Sequence, residues 1–192
     1  MRKLLFLLVI FISIARVQSQ TQVVFSEDFE LPSLGDSVQS STNPAGGGQW
    51  TITTNLKNTG SRADSVGVTP GYATYLTTNS FSTLGKSKVV LQFAHICKLF
   101  YSDGGQIQYS IDGGTTWIQL LQSQYLGSGT LINHRFSESS YSADWYSGDT
   151  ITKPNNSWWK TERYDLSSVA ANQANVKIRF WFVDGGIQGA EG

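Results

Sequence analysis

The chain has 192 residues, of which 40% are hydrophobic and 12% aromatic, with 14 basic side chains against 14 acidic ones. That length accommodates one domain with a proper core, and a charge balance without basic clusters offers nothing to a phosphate backbone, which excludes nucleic acid as a partner. Cys97 is the only cysteine, so no intramolecular disulfide can form; its setting, Ile96-Cys97-Lys98-Leu99, predicts a buried and inert thiol.

The N-terminus reads Met1-Arg2-Lys3, then an apolar stretch from Leu4 to Ile14, then short and small residues to Gln20. A basic start, an apolar middle and a small-residue exit describe a secretory signal peptide. The apolar part is shorter than the roughly 20 residues of a membrane span. Cleavage is expected after Ser19, with Val17 and Ser19 as the small residues before the cut. Residues 1–19 are therefore read as a signal peptide and 20–192 as a single β-sandwich domain, secreted or at the cell surface, with no transmembrane segment after cleavage. Arg2, Lys3 and Arg16 leave with the signal, so the remainder is mildly acidic.

Along the rest of the chain, alternation of polar and apolar residues is frequent and helical periodicity nearly absent. Val23–Phe25 is the first expected strand. Pro32–Gln49, which contains Asn43-Pro44-Ala45-Gly46-Gly47-Gly48, is expected to be a loop without regular structure. Trp50–Thr53 and Ala73–Leu76 are short strand candidates, and Lys88–Ile96 a long apolar one. Gln106–Ile111 alternates without a break, and Trp117–Leu121 follows it. Ser137–Asn156 is a long polar and aromatic loop, of a length that is often functional. Trp158–Tyr164 and Val176–Phe180 complete the strands, and Leu166–Ala171 is the best short helix. About eight strands closed by Gly, Asn, Asp or Ser predict an all-β chain, an antiparallel β-sandwich of jelly-roll type.

Asp-Gly-Gly occurs at Asp103–Gly105, Asp112–Gly114 and Asp184–Gly186. Such triplets supply either calcium-ligating oxygens or the positive φ angles of tight turns. Turns are the expectation, because the middle triplet separates two clear strands. Glu27, Asp28 and Glu30 form a separate acidic cluster, with alternation placing Asp28 and Glu30 on one side and Phe29 on the other. Hard carboxylates at a strand end suit calcium, and a solvated acidic edge is the competing reading.

The chain holds no zinc-peptidase, nucleophile-elbow or phosphate-loop motif, so no catalytic residues are assigned and no enzyme activity is expected. His95 falls inside the longest strand, as a hydrogen-bonded structural histidine; His134 has no neighbouring ligand. No Asp or Glu stands in an apolar, aromatic setting that would raise its pKa for acid work. Aromatic residues crowd together at Tyr141, Trp145, Tyr146, Trp158 and Trp159. One of Trp158 and Trp159 is expected in the core. Tyr141, Trp145 and Tyr146, in loop composition, are the expected ligand-binding residues, exposed to stack on a sugar ring or anchor a protein.

The run Tyr101–Leu120, with its Ser-x-Asp-Gly-Gly and following Trp117, resembles the MAM-type jelly-roll modules of immune-inhibitor-A-like secreted peptidases and bacterial surface proteins. Ser26-Glu27-Asp28-Phe29-Glu30, Tyr164-Asp165-Leu166-Ser167 and Val176-Lys177-Ile178-Arg179-Phe180 agree with it. The signal, with its Gln20 start, is similar to those of Bacteroidetes envelope proteins. The resemblance implies a non-catalytic accessory module for binding or adhesion, to a glycan or a protein, with calcium near the first strand in some relatives. Val176–Phe182 is patterned as a central strand, and the Val183–Gly192 remainder is turn-like. The domain is therefore expected to be incomplete at its C-terminal end. The alternative expectation is the N-terminal fragment of a larger secreted hydrolase, such as a metallopeptidase, whose catalytic part is absent.

Overall fold

A computed structural model describes residues 21–35, 37–67, 69–99, 103–141 and 153–183. The signal sequence, Trp145, Tyr146 and the Asp184–Gly186 triplet lie outside these residues. The strands are β1 (Val38–Asn43), β2 (Thr51–Thr53), β3 (Ala63–Ser65), β4 (Ala73–Thr78), β5 (Val90–His95), β6 (Gly104–Ser110), β7 (Ile118–Gln119), β8 (Lys160–Asp165) and β9 (Lys177–Val183). One short helix, α1 (Ser167–Ala170), follows β8. No helix among the described residues is long and apolar enough to cross a membrane.

Five strands form the main sheet in the order β1-β4-β9-β6-β7, while β2–β3 and β5–β8 form separate pairs. Every strand pairing is antiparallel. The period of two decides which residues face inward. In β9, Ile178 and Phe182 are buried and Phe180 packs on the core, whereas Arg179 and Trp181 take the opposite face. Leu76 of β4 and Ile107 and Tyr109 of β6 join the inner face. The β5–β8 pair closes over them. Phe93 meets Phe180 edge-on with ring centroids 4.9 Å apart and stacks on Tyr164 at 6.4 Å. Two antiparallel layers around one apolar interior make a β-sandwich. Each large side chain enclosed this way stabilises the fold by about 1.5–3 kcal/mol. Among the described residues the strand pairings do not trace a full jelly-roll connectivity.

Several local expectations change. Val23–Phe25 is not a strand; Phe25 instead stacks on Phe81 at 5.2 Å. The stretch Pro32–Gln49 is not all loop, because β1 occupies its middle and pairs with β4 from Val38↔Thr78 to Asn43↔Ala73. The first Asp-Gly-Gly triplet is not a turn either, since Gly104 and Gly105 lie within β6. A Cβ on Gly104 would stand 3.1 Å from Arg135 Cδ, so the bare backbone admits that side chain. The middle triplet is the turn expected. Gly113 and Gly114 have φ of 75° and 100°, and β6 and β7 pair through Tyr109↔Ile118 beyond it. Cys97 is buried, and desolvation pushes its thiol well above the ordinary range.

Candidate ligand-binding face

The outer face of the main sheet collects large planar side chains. Register sets Tyr75 and Gln106 on either side of Trp181, and Thr77 and Gln108 on either side of Arg179. The Arg179 guanidinium lies 4.6 Å from the Tyr75 ring centroid and 4.3 Å from that of Trp117, so it is held between two aromatic faces. Its Nε donates to Gln108 Oε1 at 2.5 Å, which fixes the plane of the fork. Burial draws the guanidinium below its ordinary value without discharging it. One position along, Arg135 covers the Trp181 ring at 4.8 Å. Cation–π contacts of this kind hold about 0.5–2 kcal/mol each and orient the charged group.

Two polar atoms on this face are unsatisfied. Trp181 Nε1 and Gln106 Oε1 are both buried without a hydrogen-bond partner, and Gln106 as a residue is 4% exposed. Neither Arg135 nor Arg179 forms an ion pair with a carboxylate among the described residues. Among the described residues the face thus carries two arginine forks laid on aromatic rings, beside one unpartnered acceptor and one unpartnered donor.

Tyr141, expected to be exposed, is turned inward instead. Its hydroxyl donates to Glu162 Oε1 at 2.6 Å, and the Lys160 ammonium lies 5.1 Å from its ring centroid. The physical reason is Glu162, whose side chain is fully buried and recruits donors. Tyr125 Oη donates to Glu162 Oε2 at 2.5 Å and itself accepts from Gly129 N at 2.8 Å, while His95 Nε2 stands 3.6 Å from Oε1. Burial alone would raise the Glu162 carboxyl, yet the contacts from His95, Tyr125 and Tyr141 outweigh it and hold the group below its ordinary value. An aromatic-lined acid therefore exists, but it is enclosed and its pKa is lowered rather than raised. Trp158 is the buried member of its pair, with Trp159 half-buried. His134 Nδ1 accepts from Gln122 N at 3.0 Å.

The acidic cluster lies in an irregular segment, not at a strand end. Glu27 Oε1 accepts from Phe29 N at 2.9 Å, Asp28 Oδ1 from Glu30 N at 3.1 Å, and Phe29 takes a positive φ of 57°. Glu30 is committed to the 60–62 loop, accepting from Ser61 N and Oγ and from Arg62 N, and these bonds keep it below its ordinary value. Asp64 in β3 is the unexpected neighbour. Its Oδ2 is buried without a partner, and desolvation aided by the Glu27 charge raises its pKa to about 7. No three His, Cys, Asp or Glu side chains among the described residues gather as a metal-ligating group.

Trp181, Arg179 and Glu162 were not singled out by sequence reasoning. The signal was present: Arg179 and Trp181 share a parity opposite Ile178 and Phe180, and Glu162 shares that of buried Tyr164. No protein-family model matches the chain, and no curated protein matches it.

Proposed function

We propose that the chain is a non-catalytic binding or adhesion module, secreted or displayed at the cell surface, that holds a glycan or protein ligand on the outer face of its five-stranded sheet. The observation that carries this reading is Arg179 clasped between Trp117 and Tyr75, beside Arg135 on Trp181. Trp, Tyr and Arg dominate binding hot spots because they offer large, stiff contact areas with a polar end. Tyr75, Trp117, Arg135, Arg179 and Trp181 are each partly exposed. Export rests on the Met1–Gln20 sequence, and N-terminal sequencing of the exported protein should begin at Gln20. On a glycan array and in titration against the ligand found, Trp117→Ala and Tyr75→Ala should each weaken binding at least tenfold. Undiminished binding by both variants would remove the sheet face as the site.

A structural calcium is a second reading, favoured by Asp64. The Glu27 charge reaches Asp64, whose orphaned buried oxygen is what a hard cation takes as a ligand; Glu27, Asp28 and Glu30 each already accept a backbone hydrogen bond. Bound there, the ion would supply charge neutralisation and no reaction step. The linkage sign is definite. Asp64 titrates near 7 when folded and near 3.9 when unfolded, so the folded state holds the extra proton and stability falls as pH rises from about 4 to about 7. Asp64→Asn should therefore stabilise the protein at pH 8, by on the order of 1 kcal/mol once solvent screening is allowed for, and change little at pH 4. Millimolar calcium should raise Tm at pH 8 in the parent chain and not in Asp64→Asn. A calcium-silent parent would exclude the ion.

A further inference from the structure

We propose that Glu162 is an acid-released clasp on the loop between Tyr125 and Tyr141: ionised, it holds the neck of the loop shut, and protonated, it lets residues 126–134 open while the sandwich stays folded. The two ends of the loop meet on this one carboxylate. Tyr125 Oη donates to Oε2 and Tyr141 Oη to Oε1, and the two hydroxyls stand 3.4 Å apart. A compact surface loop with its ends drawn together is an Ω-loop, and its closure depends on what holds the neck. None of residues 126–134 is buried, so this part has no core of its own. Its other ties to the fold are hydrogen bonds: Leu126 N to Arg163 O at 2.8 Å, Gln122 N to His134 Nδ1 at 3.0 Å, and Gln119 Nε2 to Asn133 O and His134 O at 3.2 Å. Beyond it the returning side is fixed by Phe136, which is buried and exchanges two backbone bonds with Gly105.

The clasp is electrical. An ionised carboxylate accepts from both tyrosines at once, and bonds to a charged acceptor are about twice as strong as neutral ones. Protonation turns one of its oxygens into a donor, so one tyrosine loses its acceptor. The loop lies close over the group: any side chain at Gly127 would collide with Glu162 Oε2 and Tyr125 Oη. Among the described residues, the ionisable groups around Glu162 are His95 from β5, Tyr125 and Tyr141 from the loop, and Tyr164 and Lys160 from its own strand, with Lys160 over the Tyr141 ring. Desolvation raises all three tyrosines, so they keep their protons. Of the histidine and the glutamate, only Glu162 receives both ends of the loop. The closed state holds its carboxyl below the ordinary 4.5, so the clasp is at full strength above that pH and weakens as pH falls below it.

The test is hydrogen exchange of the whole chain, followed by mass spectrometry from pH 7 to pH 3.5 and corrected for the intrinsic pH dependence of exchange. Peptides covering residues 126–134 should exchange faster by up to about tenfold per pH unit below 4.5, while those covering β4 and β9 keep their protection. Glu162→Gln, neutral at every pH, should exchange in this region as fast at pH 7 as the parent does in acid. Tyr141→Phe removes one of the two donors and should move the opening to higher pH, which decides the matter where Glu162→Gln does not fold. Loss of loop and sheet protection together would make the acid response global unfolding and overturn the clasp. So would a loop that keeps its protection to pH 3.5 in both the parent and Tyr141→Phe, or one whose pH dependence persists in Glu162→Gln. Opening centred between 4.5 and 6.5, and abolished by His95→Gln, would give the switch to the histidine and overturn its assignment to Glu162.

Discussion

Glu162 is a carboxylate removed from water and held ionised by hydroxyl donors from two separate segments, Tyr125 and Tyr141, with His95 Nε2 3.6 Å away. Hydrogen bonds to a charged group are worth about 1.5–3 kcal/mol each. Tyr125→Phe and Tyr141→Phe should each destabilise by that amount in urea unfolding, with Tyr125→Phe the worse because Gly129 N loses its acceptor too. The pair should be less than additive, since both act on one carboxylate. The pH dependence follows from the same cluster. Burial holds His95 below its ordinary value of 6.5, and Glu162 lies below 4.5. Both depressed groups contribute stability that is lost as pH falls, the histidine first, below 6.5, and the glutamate below 4.5. Asp64 works in the opposite direction between 7 and 4, so the acid limb should steepen in an Asp64→Asn background. A flat Tm from pH 7 to pH 4 in that background would show that the cluster is not coupled to folding. This site was hard to read from sequence because Lys160-Thr161-Glu162-Arg163 looks like a solvated strand. What separates Glu162 from its neighbours is a fold-level fact, the arrival of Tyr125 and Tyr141 from distant loops.

The β6–β7 hairpin was legible in the sequence because its chemistry is local. Asp112 Oδ1 accepts from Ser110 Oγ, Thr115 N and Thr116 N, and these bonds hold the carboxyl far below its ordinary value. Gly113 and Gly114 supply backbone angles that side chains resist. Gly113→Ala meets open space and should cost only the conformational penalty, about 1–2 kcal/mol. Gly114→Ala meets Trp117 at 3.4 Å as well, so it should also loosen the grip on Arg179 and weaken ligand binding; unchanged affinity would separate the turn from the site. By contrast, β1 was illegible. Its sequence Val38-Gln39-Ser40-Ser41-Thr42-Asn43 buries only Val38 fully and exposes Gln39, Ser41 and Asn43. Such a strand exists because β4 offers it a paired edge, and its polarity discourages another chain from adding beyond it. Gly104 and Gly105 misled for the complementary reason: a glycine needed for close packing looks the same as one needed for a turn.

At the scale of the whole molecule, the sandwich could be anticipated because alternation in β4, β6 and β9 sorts inner from outer residues wherever the strands end up. Pairing order could not, since hydrophobic pattern says which face is buried and not which strand lies alongside. That order has a consequence for synthesis. β9 lies at the centre of the main sheet yet is the last described strand to leave the ribosome, about 100 residues after its neighbour β4. At 5–20 residues per second, β4 waits roughly 5–20 s without its partner. The two halves of the sheet cannot join during that interval, because β1-β4 and β6-β7 meet only through β9. A nascent chain arrested after Val176 should remain protease-sensitive along its full length, and one released after Val183 should abruptly resist. Partial protection of the β4 region before β9 emerges would mean that the halves fold independently.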